Sequence, residues 1–135
     1  MPQYWLVKTE PTVYSYADLV KEKKTVWSGV TNNAALKHMR SMRKGDLAFI
    51  YHTGDEKSVV GVAEVVKGPY ADPAARDPKL VVIDLKPKEP LKNPVSLAAI
   101  KAHQQFADFA LVRISRLSVM PVEKPVWDAI FRMSK

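Results

Sequence analysis

The chain contains no cysteine, which excludes disulfide bonds, cysteine nucleophiles and thiolate-held metals and fits a reducing compartment. Histidine is scarce: His38, His52 and His103 lie far apart, and none falls in a metal-ligand spacing. The five glycines form neither a Gly-x-Gly-x-x-Gly nor a Walker pattern, so no phosphate-cradling loop is expected. No serine occupies a Gly-x-Ser-x-Gly elbow. Apolar runs are too short to span a bilayer, and Met1-Pro2-Gln3-Tyr4-Trp5 lacks the basic segment and apolar core of a secretion signal. These absences predict a cytoplasmic protein with no metal, no cofactor and no membrane partner.

What is present fits a single domain. At 135 residues the chain can bury roughly 68% of the surface its unfolded form exposes. Lysine and arginine number 21 against 14 acidic residues, a net charge of +7. Such a balance attracts a polyanion, nucleic acid first, or simply keeps a solvated surface soluble. The basic residues are spread along the chain without a Lys/Arg tail.

Hydrophobic periodicity and turn residues give an irregular alternation of strands and helices. Tyr4 to Lys8 reads as a strand closed by Glu10-Pro11, and one of Tyr4 and Trp5 is expected to face outward. Ser15 to Lys23 reads as a helix capped by Ser15, with Asp18 near its positive end. A second helix runs from Asn32 or Asn33 to about Arg43 and stops at Gly45. Leu47 to Thr53 and Ser58 to Val66 make a hairpin around Gly54-Asp55-Glu56-Lys57. A loop is expected from Gly68 to Pro78, a doubly covered strand from Leu80 to Leu85, and a proline-punctuated connector through Pro87, Pro90 and Pro94. Ser96 caps a short helix, Leu111 to Val122 supplies strand, and an amphipathic helix closes the chain from about Glu123 to Arg132. Without repeats or a long linker, this order suggests a compact mixed α+β barrel rather than a doubly wound sheet.

Two segments carry most of the chemistry. Trp27-Ser28-Gly29-Val30-Thr31-Asn32-Asn33 puts an indole among small and amide-bearing residues. Lys44 to Thr53 ends an apolar strand in the phenol of Tyr51, the imidazole of His52 and the hydroxyl of Thr53. A flat face beside donors and acceptors suits recognition of a planar heterocycle better than bond breaking. Trp27 alone would more readily be a core side chain with its N–H satisfied, and its neighbours Ser28, Gly29, Asn32 and Asn33 shift it toward a pocket wall. His52 could equally line a pocket mouth or tie down its turn, and Lys8 and Glu10 form a surface pair when taken by themselves. Two other classes stay open: an enzyme using Lys8, Glu10 and His52 as acid–base groups, and a protein-interaction domain.

Six segments in register resemble the EVE domain in its stand-alone bacterial form: Tyr4 to Pro11, Trp27 to Val30, Asn32, Met42 to Asp46, Tyr51 to Thr53, and Leu117 to Val122. The resemblance covers essentially the whole chain. It implies an α+β fold related to the PUA and YTH domains, a curved and partly closed mixed β-barrel with helices packed around it. It further implies a reader of DNA or RNA; this chain is expected to act without catalysis and as a monomer. Such a reader holds a flipped, modified base, a modified cytosine first, in an aromatic pocket. Carried over by position, Trp27 stacks on the base, while Ser28, Gly29, Val30, Asn32 and Asn33 line the pocket. Trp5, Lys8 and Glu10 form one rim, Tyr51, His52 and Thr53 another, and Leu117, Ser118, Val119, Met120 and Pro121 the opposite wall. One departure stands out: where the family often carries Arg-Asn-Tyr after Gly-Val, this chain has Thr31-Asn32-Asn33, which removes a cation and a ring from the pocket edge.

Overall fold

The computed structural model describes residues 2–135. Six strands form one mixed sheet: β1 (Tyr4–Thr9), β2 (Thr25–Trp27), β3 (Leu47–His52), β4 (Ser58–Ala71), β5 (Val81–Ser96) and β6 (Val119–Pro121). Five helices surround it: α1 (Tyr16–Glu22), α2 (Asn33–Arg40), α3 (Leu97–Lys101), α4 (Ala110–Arg113) and α5 (Lys124–Met133). The strand order is β2-β5-β4-β3-β1-β6. Only β1 and β3 run parallel; every other pairing is antiparallel. The sheet is curled into a half-barrel, and α2 packs against both β5 and β6, close to its two margins.

Local sequence sets several boundaries. Ser15 and Asp18 close a capping box on α1: Asp18 N–H donates to Ser15 Oγ at 3.1 Å and Ser15 N–H to Asp18 at 2.9 Å. Asn32 caps α2 by accepting from Ala35 N–H at 3.0 Å. That helix ends at Arg40, one turn short of the expected stop. Arg43 N–H is instead drawn to the Asp46 carboxylate at 2.9 Å, which folds residues 41–46 into a turn.

The strands depart from expectation in three places. Gly68 to Ala71 belongs to β4 rather than to a loop, and the segment containing Pro87, Pro90 and Pro94 belongs to β5. Proline lacks the N–H a central strand needs, so these residues read as a connector in isolation. Here β2 pairs with β5 only from Ile83 to Leu85, leaving the prolines on a one-sided stretch. Register shifts near Val62 and Val59 flank Pro87 and Pro90 and absorb the missing donors. The third departure is the stretch from Leu111, where a helical turn, α4, precedes a strand of three residues only.

The first strand is covered on both faces, not one. Tyr4 turns toward α5 and packs on Trp127 at 4.9 Å between ring centroids. Trp5 turns the other way, to His38 of α2 at 6.3 Å. Across β3, Phe49 stacks on Trp127 at 3.7 Å and 17°. Such a stack adds about 0.5–1.5 kcal/mol beyond area burial and anchors α5.

Candidate nucleic-acid interface

A cavity of about 560 Å³ opens where the two margins of the curled sheet approach each other. One lip is β2 with the segment after it, Thr25 to Asn32; the other is the end of β1, Lys8 to Glu10, with Ser118 beside it. Val13 and Tyr14, on the turn after β1, complete the lining. That turn is fixed by Glu10 C=O, which accepts from both Val13 N–H and Tyr14 N–H at 2.9 Å. A volume of this size suits a small planar ligand.

Trp27 forms the aromatic wall, and its ring meets Tyr14 edge-on at 6.1 Å and 83°. The indole is 8% exposed, so only a small part of it reaches the cavity. Gly29 takes a left-handed φ of 81°, a conformation that favours glycine, and it lets the chain turn from β2 toward α2. Asn32 lines the cavity with its oxygen already engaged by Ala35 N–H, leaving its amide nitrogen as the free donor. Lys8 donates to Ser115 C=O at 2.9 Å, and partial burial lowers its pKa below the ordinary lysine value. Burial, and after it the hydrogen bond to Glu22, raises the Tyr14 phenol pKa.

The site expected from sequence is therefore brought together in part. Lys8, Glu10, Trp27, Ser28, Gly29, Val30, Asn32 and Ser118 share the cavity. Trp5 does not: its indole N–H donates to Asp46 at 2.9 Å inside the core. His52 is buried away from the cavity, where Nε2 accepts from Tyr16 N–H at 3.0 Å and Nδ1 meets Glu56 at 3.0 Å. Accepting at Nε2 requires the neutral ring, so His52 ties α1 to the hairpin, and the trio Lys8, Glu10 and His52 is not assembled. Tyr51 and Thr53 line a neighbouring groove. Leu117, Val119 and Met120 are core residues, and Pro121 is exposed opposite Trp5; because β6 is so short, only Ser118 turns into the cavity. Asn33 begins α2 and points outside the lining. Tyr14 was missed; its signal is an aromatic residue just beyond the Glu10-Pro11 turn. Among the described residues no group of three or more His, Asp and Glu side chains converges to hold a metal, and no helix is long and apolar enough to cross a membrane.

A curled mixed sheet with a cavity at its open seam defines a PUA-like domain. The EVE domain model matches residues 3–133, and the chain belongs to that family. Rpa0253 from Rhodopseudomonas palustris, solved by NMR, superposes with a TM-score of 0.93 at 45% identity, over 98% of this chain and 92% of that one. Human thymocyte nuclear protein 1 is 25% identical over 169 aligned positions, covering 100% of this chain and 75% of its own. Human THYN1 has been crystallised in complex with 5-methylcytosine containing DNA; it superposes with a TM-score of 0.89 at 26% identity, over 98% of both chains. An ASCH protein from Zymomonas mobilis, with a TM-score of 0.64 at 14% identity over 97% of this chain and 95% of its own, shares the fold alone.

Proposed function

We propose that this chain is a non-catalytic reader of nucleic acid that holds one modified base, a modified cytosine first, in the cavity beside Trp27. The observation that carries the reading is the Trp27–Tyr14 corner, two rings near a right angle at the mouth of a 560 Å³ cavity. A base turned out of its stack gains contact with the indole, and hydrogen-bonding groups from Ser28, Gly29 and Asn32 face its edge. The complex of human THYN1 with 5-methylcytosine containing DNA supports the choice of ligand. Extrusion costs a few kcal/mol, less for an unpaired base. Stacking returns ~1–3 kcal/mol, and basic side chains supply salt-sensitive contact with phosphates.

Trp27 is itself largely buried, so truncation to alanine would cost stability as well as binding. The cleaner test is Trp27→Leu, with folding checked by circular dichroism. Calorimetry against single-stranded and duplex oligonucleotides carrying one 5-methylcytosine should show about a tenfold or greater loss of affinity, following from ~1–3 kcal/mol of stacking. Equal affinity of parent and variant would overturn the assignment of Trp27. Parallel titration of DNA and RNA versions identifies the natural strand.

A further inference from the structure

A second concavity, about 290 Å³, adjoins the first and shares Lys8 with it. It is lined by the ends of β1 and β3, the hairpin turn, α3 and the end of α4. Each of three segments brings a cation to it: Lys8, Lys57 and Lys101. Tyr51, Thr53 and Ser115 add hydroxyls. None of the three lysines forms an ion pair with a carboxylate among the described residues. The carboxylate bound to this lining is that of Glu10, which accepts from Thr53 Oγ1 at 3.2 Å and leaves an excess of positive charge. Lys8 is the informative member. Its ammonium donates to Ser115 C=O at 2.9 Å and lies 5.7 Å from the Tyr51 ring centroid, so it is half-buried and positioned without a counterion. The partial desolvation that lowers its pKa also makes an incoming anion more favourable there.

We propose that this groove, through Lys8, Lys57, Lys101 and the neighbouring hydroxyls, holds a backbone phosphate of the strand whose base occupies the main cavity. The inference rests on the nucleic-acid reading above. Lys8 forms the partition between the two spaces, so one nucleotide can present its ring on one side and its phosphate on the other. Phosphate held by scattered lysines acts as a point-charge contact and makes affinity depend on salt.

The test is the double variant Lys57→Ala/Lys101→Ala, since both residues are exposed and remote from Trp27. Three probes are titrated across a salt series: a single-stranded oligonucleotide with one 5-methylcytosine, 5-methyl-2′-deoxycytidine, and its 5′-monophosphate. The expected result is a roughly tenfold loss of oligonucleotide affinity, with the slope of log affinity against log salt shallower by about 0.7 for one lost phosphate contact on a single strand. Nucleoside binding should not change. An unchanged oligonucleotide affinity and slope overturn the phosphate site while leaving the base reader standing. Loss of nucleoside binding as well overturns it, since the lysines would then act on the base cavity. Monophosphate binding as tight as that of the oligonucleotide assigns the groove to a free nucleotide and overturns the strand contact. Absence of binding by the parent protein to any probe removes the base reader and this site together.

Discussion

Trp5 and Trp27 are almost equally buried, at 6% and 8% exposure, yet they do opposite jobs. The indole of Trp5 ends on a buried carboxylate, Asp46, which also accepts from Gln3 N–H and Arg43 N–H. Every polar atom there is matched, and the region is closed. The indole of Trp27 ends on a cavity, with Tyr14 across from it. Burial alone thus does not separate a tryptophan sealed in the core from one that lines a cavity. What separates them is the surroundings: the indole N–H of Trp5 is engaged by Asp46, whereas Trp27 borders the cavity, where the proposed reading places a base.

The comparison can be broken most forcefully at Asp46. Replacing it with alanine orphans three donors in a buried site, and Asp46→Ala should lower stability by about 3–5 kcal/mol, read as a fall in the urea midpoint. Oligonucleotide affinity measured on the fraction that remains folded should hold; a specific loss there would mean the two regions are coupled. Gly61→Ala comes next. A Cβ at Gly61 would sit 2.5 Å from the Tyr16 ring, and Tyr16 also donates to Val62 C=O at 2.9 Å. Overpacking of this kind costs about 1–3 kcal/mol and should appear as a lower Tm with little change in binding.

Trp5→Phe and Trp27→Phe sharpen the contrast directly. Trp5→Phe removes one of the three donors to Asp46 and should cost about 1–2 kcal/mol of stability with unchanged ligand affinity. Trp27→Phe should cost less stability, under about 1.5 kcal/mol, and should weaken oligonucleotide binding instead. Identical profiles for the two variants would end the distinction.

The smallest effect is in pH. Burial pushes Tyr16 up to about 12, and the hydrogen bond to Asp84 pushes Tyr70 up to about 12 as well. The folded chain holds these protons more tightly than the unfolded chain, where tyrosine titrates near 10. Stability is therefore fully retained below about pH 10 and declines as pH rises toward about 12. Tyr16→Phe should flatten that decline in alkaline urea titrations, whatever it does to stability at neutral pH.

How much of this was legible beforehand follows from how local each signal is. Ser15, Asp18 and Asn32 act within three residues of themselves, and their caps were readable. The hairpin of β3 and β4 was readable too, since strand periodicity and turn residues lie next to each other. One lip of the cavity, Trp27 to Asn32, is a continuous stretch and came through almost whole. The other lip came through only in part: Lys8, Glu10 and Ser118 line it, whereas Trp5, Val119 and Met120 lie in the core. Whether Trp5, Val119 or Met120 faces a cavity or the core depends on which strand lies beside β1, information that sits some 40 or 115 residues away. The same holds for Pro87 and Pro90, whose place in a strand depends on β2 starting only at Thr25, opposite Leu85. His52, at the end of its strand, read equally as a pocket residue and as a tie for its turn; its partner, the first N–H of α1, was invisible in the linear order.

The curled sheet has two free margins: β2 bonds only to β5, and β6 only to β1. Between them, across the mouth where a guest would enter, no backbone ladder runs. Closing a barrel there would instead have locked the width of the mouth into the hydrogen-bond register. The seam is bounded by side chains rather than by a strand ladder, so under the proposed reading the bulk of a substituent on the guest ring would be tolerated or refused by a few side chains without redrawing the fold.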